Sequence, residues 1–508
     1  MTQAAEPPSV DSLLLRAAER HAARPALVFG GEALTYRELT AAVDRLADRI
    51  AADARADLRG ARVAIVAGNA PCLVVALFAA WRLGAVAVPL TTRLREHELS
   101  RVLAHARPSV VVSVPTAFAF AFDELLIELL PELPSVSGAL LVDAWGDVGR
   151  RLPGPNAVDP ERLGAEVAAI LYTSGTTGEP KGALVTHARE LDGAQTLASL
   201  LGLAAEDAAA FVIPASHAFG LTCLLAGVAA GAAAVLVDST VTTGPLLGAL
   251  DERRASVLHG SPTLFAGLLK TRPGGLPGVR AGFVAGAVSP PELLERLDAA
   301  GTRLLNLYGL TEAGAVACCR FDDTGERRYT TVGRVLPTFE AATSPPRDGG
   351  GAPAELRLRG AHLVGYFDAP PDAADQFEGG WFRTGDLGEI EAGNIRIVGR
   401  EKELVHVGGF NVVPAEVEQV LLQHPDVAQA VVVGVPHETM GEALHAFVVP
   451  REGSEPSPAS LLAFARPKIA GYKLPYGITI LPELPLLASG KPDRLALAGS
   501  TTATHVPR

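Results

Sequence analysis

Thr173–Gly182 reads TSGTTGEPKG and follows directly on the apolar run AAILY, so a buried extended segment runs into a loop of hydroxyls, glycines and one lysine. Gly175, Gly178 and Gly182 let backbone amides close on an anion. Thr173, Ser174, Thr176 and Thr177 add hydroxyl donors, and Lys181 adds a positive charge. The stretch reads as a phosphate cradle at the end of a strand. It is not a Walker A loop, because no Gly-Lys-Ser/Thr stands at the required spacing.

Around this loop, short apolar runs recur at Val63–Ala67, Val110–Val114, Ile170–Tyr172, Ala233–Val237 and Ala281–Ala285, with helix-length segments between several of them. That alternation predicts an α/β fold of layers with mostly parallel sheets over the first 400 residues or so. Thr35 and Glu38 have capping-box spacing, and Leu39, Val43, Leu46 and Ile50 continue as a helical apolar stripe. Leu221–Val237 is seventeen residues without a charge. Gly227 and Gly231 interrupt it and its end is AAAVLV, so a buried helix followed by a buried strand is expected rather than a membrane span.

Gly- and Pro-rich joints stand at Leu152–Pro160 and Ser344–Pro353, and ELRLRG and NIRIVGR after the second predict a small β-rich unit. Past Arg400 the texture changes, with a helix expected at Pro414–Gln423, a strand at Ala428–Val435 and a Pro-rich tail. The boundary is therefore placed between an N-terminal domain, 1–399, and a C-terminal α+β domain, 400–508.

Composition excludes several classes. The net charge of −12 argues against a nucleic-acid surface, and MTQAAEPPSV carries no basic segment leading into an apolar run, so no secretory signal is expected. The four cysteines, with Cys318 and Cys319 adjacent, suit neither a disulfide framework nor a zinc site, and free thiols in a reducing cytoplasm are expected. No spaced histidine ligand cluster points to zinc or iron.

Four more motifs follow in order: YGLTE at Tyr308–Glu312, FRTGD at Phe382–Asp386, GREKELVHVGGFNVVPAEVE at Gly399–Glu418, and ASGKPDR at Ala488–Arg494. With TSGTTGEPKG they make the chain resemble the adenylate-forming superfamily of acyl-CoA synthetases, nonribosomal-peptide adenylation domains and luciferases, nearest to stand-alone acyl-CoA synthetases. The resemblance implies a large N-terminal domain of layered α/β subdomains and a small C-terminal domain on a hinge. It also implies activation of a carboxylic acid by ATP and Mg²⁺ through an acyl-adenylate, then transfer to the thiol of coenzyme A or of an external carrier protein.

Carried over by motif position, Tyr308 stacks on adenine, and Gly286, Ala287 and Gly309 belong to the nucleotide pocket. Thr311 bonds the α-phosphate or the substrate carboxylate, and Glu312 holds Mg²⁺. Asp386 takes the ribose hydroxyls, and Arg400 touches ribose or phosphate. Lys402 is the hinge. Lys491 is the lysine that meets carboxylate and α-phosphate in the transition state. Gly408 and Gly409 admit a pantetheine arm during thiol transfer.

His217, in PASHAFGL, falls where the family the chain resembles often keeps an aromatic or a histidine beside the acyl pocket. No carboxylate accompanies it there, which excludes the usual pairing of an α-amino acid ammonium. Val288 stands where proline is common, and His406 where lysine is frequent, so thiol transfer is less firmly implied than adenylation. Segments around Ala218–Ala230, His259–Thr263, Phe283–Val288 and Ala313–Cys318 hold no Lys or Arg. Small uncharged walls favour a bulky, largely apolar monocarboxylic acid.

Overall fold

The computed structural model describes residues 8–54, 57–155, 162–173, 180–237, 243–344, 354–369, 376–407, 410–437, 440–487 and 491–501. They form two compact units, Met1–Phe339 with Arg359–Phe377, and Glu340–Leu358 with Glu378–Arg508.

The first unit is built on two sheets whose inner strands are parallel. In one, Arg303–Leu310, Ala281–Val284, Val257–His259, Ala208–Phe211, Ala233–Leu236 and Pro25–Phe29 lie side by side, with Phe283 opposite Leu305 and Phe211 opposite His259. In the other, the parallel run is Val167–Thr173, Val86–Leu90, Arg62–Val66, Val110–Ser113 and Gly138–Val142. Antiparallel strands Lys181–Thr186 and Val148–Pro153 flank it. The apolar runs of the sequence are these strands.

Their alternation distributes the core. Val63 and Ile65 of one sheet share a hydrophobic cluster with Ala209, Phe211 and Phe283 of the other and with Phe78, Leu197 and Leu224 from three helices. Their neighbours Ala64 and Val66 face a second cluster with Leu99, Leu103 and Leu126, and Ala210, Leu258 and Val284 a third with Leu250, Phe265 and Leu297. Strand side chains alternate between faces. One helical layer is therefore shared between the sheets and two more cover their outer faces.

Local signals behave as read. Thr35 and Glu38 close a reciprocal cap, the Thr35 amide donating to Glu38 Oε2 at 2.8 Å and the Glu38 amide to Thr35 Oγ1 at 3.2 Å, ahead of the helix Tyr36–Ala54. The charge-free stretch becomes the helix Ala218–Ala230, a left-handed Gly231 cap and the strand Ala233–Leu236. Among the described residues no helix is long and apolar enough to cross a membrane. All four cysteines are free and buried.

In the second unit Ala354–Gly360, Trp381–Glu391 and Asn394–Arg400 form an antiparallel sheet, the strands expected from ELRLRG and NIRIVGR. Farther along, Val427–His437 and Gly441–Pro450 make a long antiparallel pair extended by Gly477–Ile480 and covered by the helix Pro414–Leu422.

Two buried histidines make the fold sensitive to acid. His187 Nδ1 accepts the Val10 amide at 3.2 Å and His259 Nδ1 the Phe283 amide at 3.3 Å; burial pushes their pKa down to about 4 and about 3. Both are neutral in the fold and titrate near 6.5 once unfolded. Their contribution is fully present above pH about 6.5 and is lost as pH falls toward about 4 and about 3. Near pH 5 unfolding free energy measured in urea should fall by about 1.4 kcal/mol per pH unit for each of them. His187→Gln should remove about one proton from that slope; an unchanged slope would mean that His187 is not held neutral.

Candidate active site

The cradle sits at the end of a hairpin. Val167–Thr173 pairs with Lys181–Thr186 in a register that sets Tyr172 opposite Gly182 and Thr173 opposite Lys181, so the two ends of the loop are clamped together. Tyr172 is anchored by a 2.7 Å bond between its hydroxyl and His105 Nδ1. Ser174, Gly175, Thr176 and Thr177 lie outside the described residues, as do Gly408 and Gly409, while Thr173 and Lys402 are described by their backbone alone.

The YGLTE motif is a second hairpin tip. Arg303–Leu310 turns back into Gly314–Cys318 with Tyr308 opposite Ala317 and Leu310 opposite Gly314, leaving Thr311, Glu312 and Ala313 as the turn at the carboxyl end of a parallel strand. That end of an open α/β sheet is where ligands bind. Tyr308 is buried, Thr311 and Glu312 half-buried. A Cβ on Gly309 would collide with the Gly314 carbonyl, so the tight crossing requires glycine there.

The two hairpins are joined through Tyr366. Its strand runs beside Lys181–Thr186, with Tyr366 opposite Ala183, and its hydroxyl donates to Glu312 Oε1 at 2.6 Å. Gln376 Oε1 lies 2.6 Å from the same hydroxyl. Tyr366 fixes one carboxylate oxygen of Glu312. The other is a hard anionic donor suited to a magnesium ion. Sequence reading passed over Tyr366, because nothing local distinguishes it; Gly365 before it takes φ +91°.

Gly286, at φ +88°, and Ala287 are exposed just past the strand Ala281–Val284, at the same sheet edge as the YGLTE turn. His217 is half-buried and begins the helix Ala218–Ala230. Near the carboxyl ends of their strands, Phe211, His259 and Phe283 are buried, and Phe219 packs against the same core. His259 stacks on Phe283, with centroids 5.4 Å apart and planes 16° apart, and Phe211 and Phe219 lie 5.8 and 6.4 Å away.

In the second unit Asp386 and Arg400 are cross-strand neighbours, and Arg400 Nε bonds buried Asp386 Oδ1 at 2.7 Å. The Thr384 hydroxyl donates to the Leu356 carbonyl at 2.7 Å and accepts the Asp386 amide at 3.0 Å, fixing the strand that carries the aspartate.

Of ASGKPDR, Lys491 to Arg494 are described, and they are pinned on both sides. The Leu487 amide donates to the Lys491 carbonyl at 2.7 Å, Asp493 caps the helix Arg494–Ser500 through the Ala496 amide, and Arg494 Nη2 pairs with Glu418 Oε1 at 2.8 Å. The Lys491 side chain keeps open surface, yet the protein around its ammonium strips water from it. That desolvation, aided by the Arg400 charge and opposed by Asp386 and Glu403, holds its pKa below the usual lysine value. Asp386, Arg400 and Lys491 thus share one electrostatic neighbourhood. Lys402 lies in the short 3-10 turn Glu401–Glu403 that follows Arg400.

Residues 14–366 match the family of AMP-binding enzymes, and residues 416–491 match the AMP-binding enzyme C-terminal domain. The chain belongs to the AMP-binding enzyme family. It is 33% identical over 484 residues to feruloyl-CoA synthase of an Amycolatopsis species, covering 91% of this chain and 93% of that protein. It is 30% identical over 496 residues to indoleacetate–CoA ligase of Aromatoleum aromaticum, covering 93% and 95%. Its fold matches the o-succinylbenzoate CoA synthetase of Bacillus subtilis, solved with its acyl-adenylate intermediate, at TM-score 0.80 and 27% identity over 98% of this chain and 99% of that one. The resemblance carried by the five motifs, and the α/β fold it implies, are borne out.

Proposed function

We propose that the chain is an AMP-forming acid–thiol ligase acting on a bulky, largely apolar monocarboxylic acid. A carboxylate oxygen of the acid attacks the α-phosphorus of ATP, the bond to pyrophosphate breaks, and an acyl-adenylate forms. The sulfur of coenzyme A then attacks the acyl carbonyl and AMP leaves with the electron pair of the broken C–O bond.

The observation that carries this reading is the meeting of the phosphate-loop hairpin and the Thr311–Glu312 turn through Tyr366. Lys181 and the loop hydroxyls bind the phosphates, and Thr311 orients the α-phosphate or the carboxylate. Glu312 would hold Mg²⁺, which when bound offsets the charge that develops as pyrophosphate departs. Asp386 accepts from the ribose hydroxyls. Lys491 brings an ammonium to the point where two anions must approach. Residues 400–508 turn about Lys402 between the two half-reactions, since Lys491 and Gly408–Gly409 serve different steps. The buried free thiols support a cytoplasmic setting.

The segments around Ala218–Ala230 and Ala313–Cys318 carry no Lys or Arg, which supports an uncharged acyl body. The relatives named for feruloyl-CoA and indoleacetate point the same way. ATP–pyrophosphate exchange with a panel of acids tests it. Aryl and alicyclic acids should exchange at least about tenfold faster than acetate or α-amino acids, a difference of about 1.4 kcal/mol. Exchange confined to amino acids, or none with any acid, would overturn the reading. Adding coenzyme A or a phosphopantetheinyl carrier protein to the active pair identifies the acceptor.

A further inference from the structure

Arg189 and Glu190 stand in the helix His187–Leu201 with side-chain exposures of 3% and 0%. Arg189 Nε bonds Glu190 Oε1 at 3.1 Å, and the Thr222 hydroxyl, on the helix Ala218–Ala230, donates to Glu190 Oε2 at 2.9 Å. Two charges taken wholly out of water are a poor source of stability, because desolvation offsets most of their attraction. What the pair reaches is more telling. Arg189 Nη1 donates at 2.8 Å to the carbonyl of Thr311, in the turn that carries Glu312. The guanidinium lies against Gly314, where a Cβ would stand 3.0 Å from Nε, so the far side of the turn is shaped to admit it. Its charge also acts on Glu312. Nη2 is buried with no hydrogen-bond partner among the described residues.

We propose that Arg189, clamped by Glu190 and Thr222, is a positioning residue for the adenylation step, holding the Thr311–Glu312 turn from its carbonyl side while Tyr366 holds the Glu312 carboxylate. This rests on the reading of Thr311 and Glu312 given above. The clamp works on the first half-reaction alone, since only that step uses the turn to place α-phosphate and metal. An apolar pair would fill the same volume and leave the turn attached only through its own strands.

The deciding variant is Arg189→Leu with Glu190→Leu, which removes both charges together and leaves neither unpaired. Its urea midpoint should equal or exceed that of the wild type. Pyrophosphate exchange should fall about tenfold or more in kcat with little change in KM for the acid. Thioester formation from a supplied acyl-adenylate should be unchanged. Binding of Mn²⁺ to the enzyme–ATP complex, followed by electron paramagnetic resonance, should weaken by about tenfold, the usual scale for losing a group that orients a metal ligand. Arg189→Lys, which keeps the charge and a donor toward Thr311, should recover much of the exchange. Should the double variant fail to fold, Thr222→Val loosens Glu190 without unpairing a charge and should show the same pattern at a few-fold. A folded variant with wild-type exchange and wild-type Mn²⁺ binding, or one with both half-reactions reduced equally, overturns the proposal. If the wild-type chain exchanges no pyrophosphate, the ligase reading fails, while the Mn²⁺ titration, which needs no turnover, still decides whether Arg189 places Glu312.

Discussion

Lys491→Ala is expected to lower adenylate formation by on the order of a thousandfold, the upper scale for deleting one preorganised donor to a developing charge. Thioester formation from supplied acyl-adenylate should stay close to the wild-type rate. The carboxylate and the α-phosphate are both anionic, and without a cation between them repulsion opposes attack; the second half-reaction brings no such pair together. The loop itself should survive, because its anchors are the Leu487–Lys491 backbone bond, the Asp493 cap and the Arg494–Glu418 pair, and none uses the ammonium. Since the lysine must be charged to act and its pKa is held below the usual range, wild-type adenylation should lose activity on the alkaline side earlier than an ordinary lysine would dictate. Single-turnover assays of the two steps decide the matter. Equal loss in both would remove Lys491 from the first transition state.

Glu312→Gln should raise the magnesium concentration for half-maximal adenylation by about a hundredfold and slow turnover, because a neutral amide is a poor ligand for a hard cation. The fold is expected to be retained. The glutamine carbonyl can still accept the Tyr366 hydroxyl, which stands 2.6 Å from Glu312 Oε1, so no buried donor is orphaned. A magnesium titration that superimposes on the wild type would place the metal elsewhere.

The strands were legible because parallel strands buried on both faces read as unbroken apolar runs, and the capping box because its two partners are three residues apart. The motifs were legible for the same reason of contiguity. What escaped was assembled from distant segments. Arg189 and Glu190 are adjacent charges in a helix with no local pattern to mark them as buried; only packing against Thr222 and a turn 122 residues farther on buries them. Tyr366 meets Glu312 across 54 residues through a strand of two residues, too short to announce itself. The pairing of Arg400 with Asp386 depends on a cross-strand register with a local irregularity, which no sequence pattern fixes. The ring cluster draws Phe211, Phe219, His259 and Phe283 from four elements, so no contiguous stretch announces it.

The helical layer shared by the two large sheets bears on how the first unit comes apart. Val63 and Ile65 from one sheet and Phe211 and Phe283 from the other bury their side chains in the same cluster. Stripping either sheet away would expose the inner face of its neighbour along with the helices between them. Neither sheet therefore has a partial opening that stops at its own border, and the lowest-energy route to losing one is losing both. In hydrogen exchange the central strands Arg62–Val66 and Ala208–Phe211, though they belong to different sheets, should behave as one cooperative unit whose amides open together.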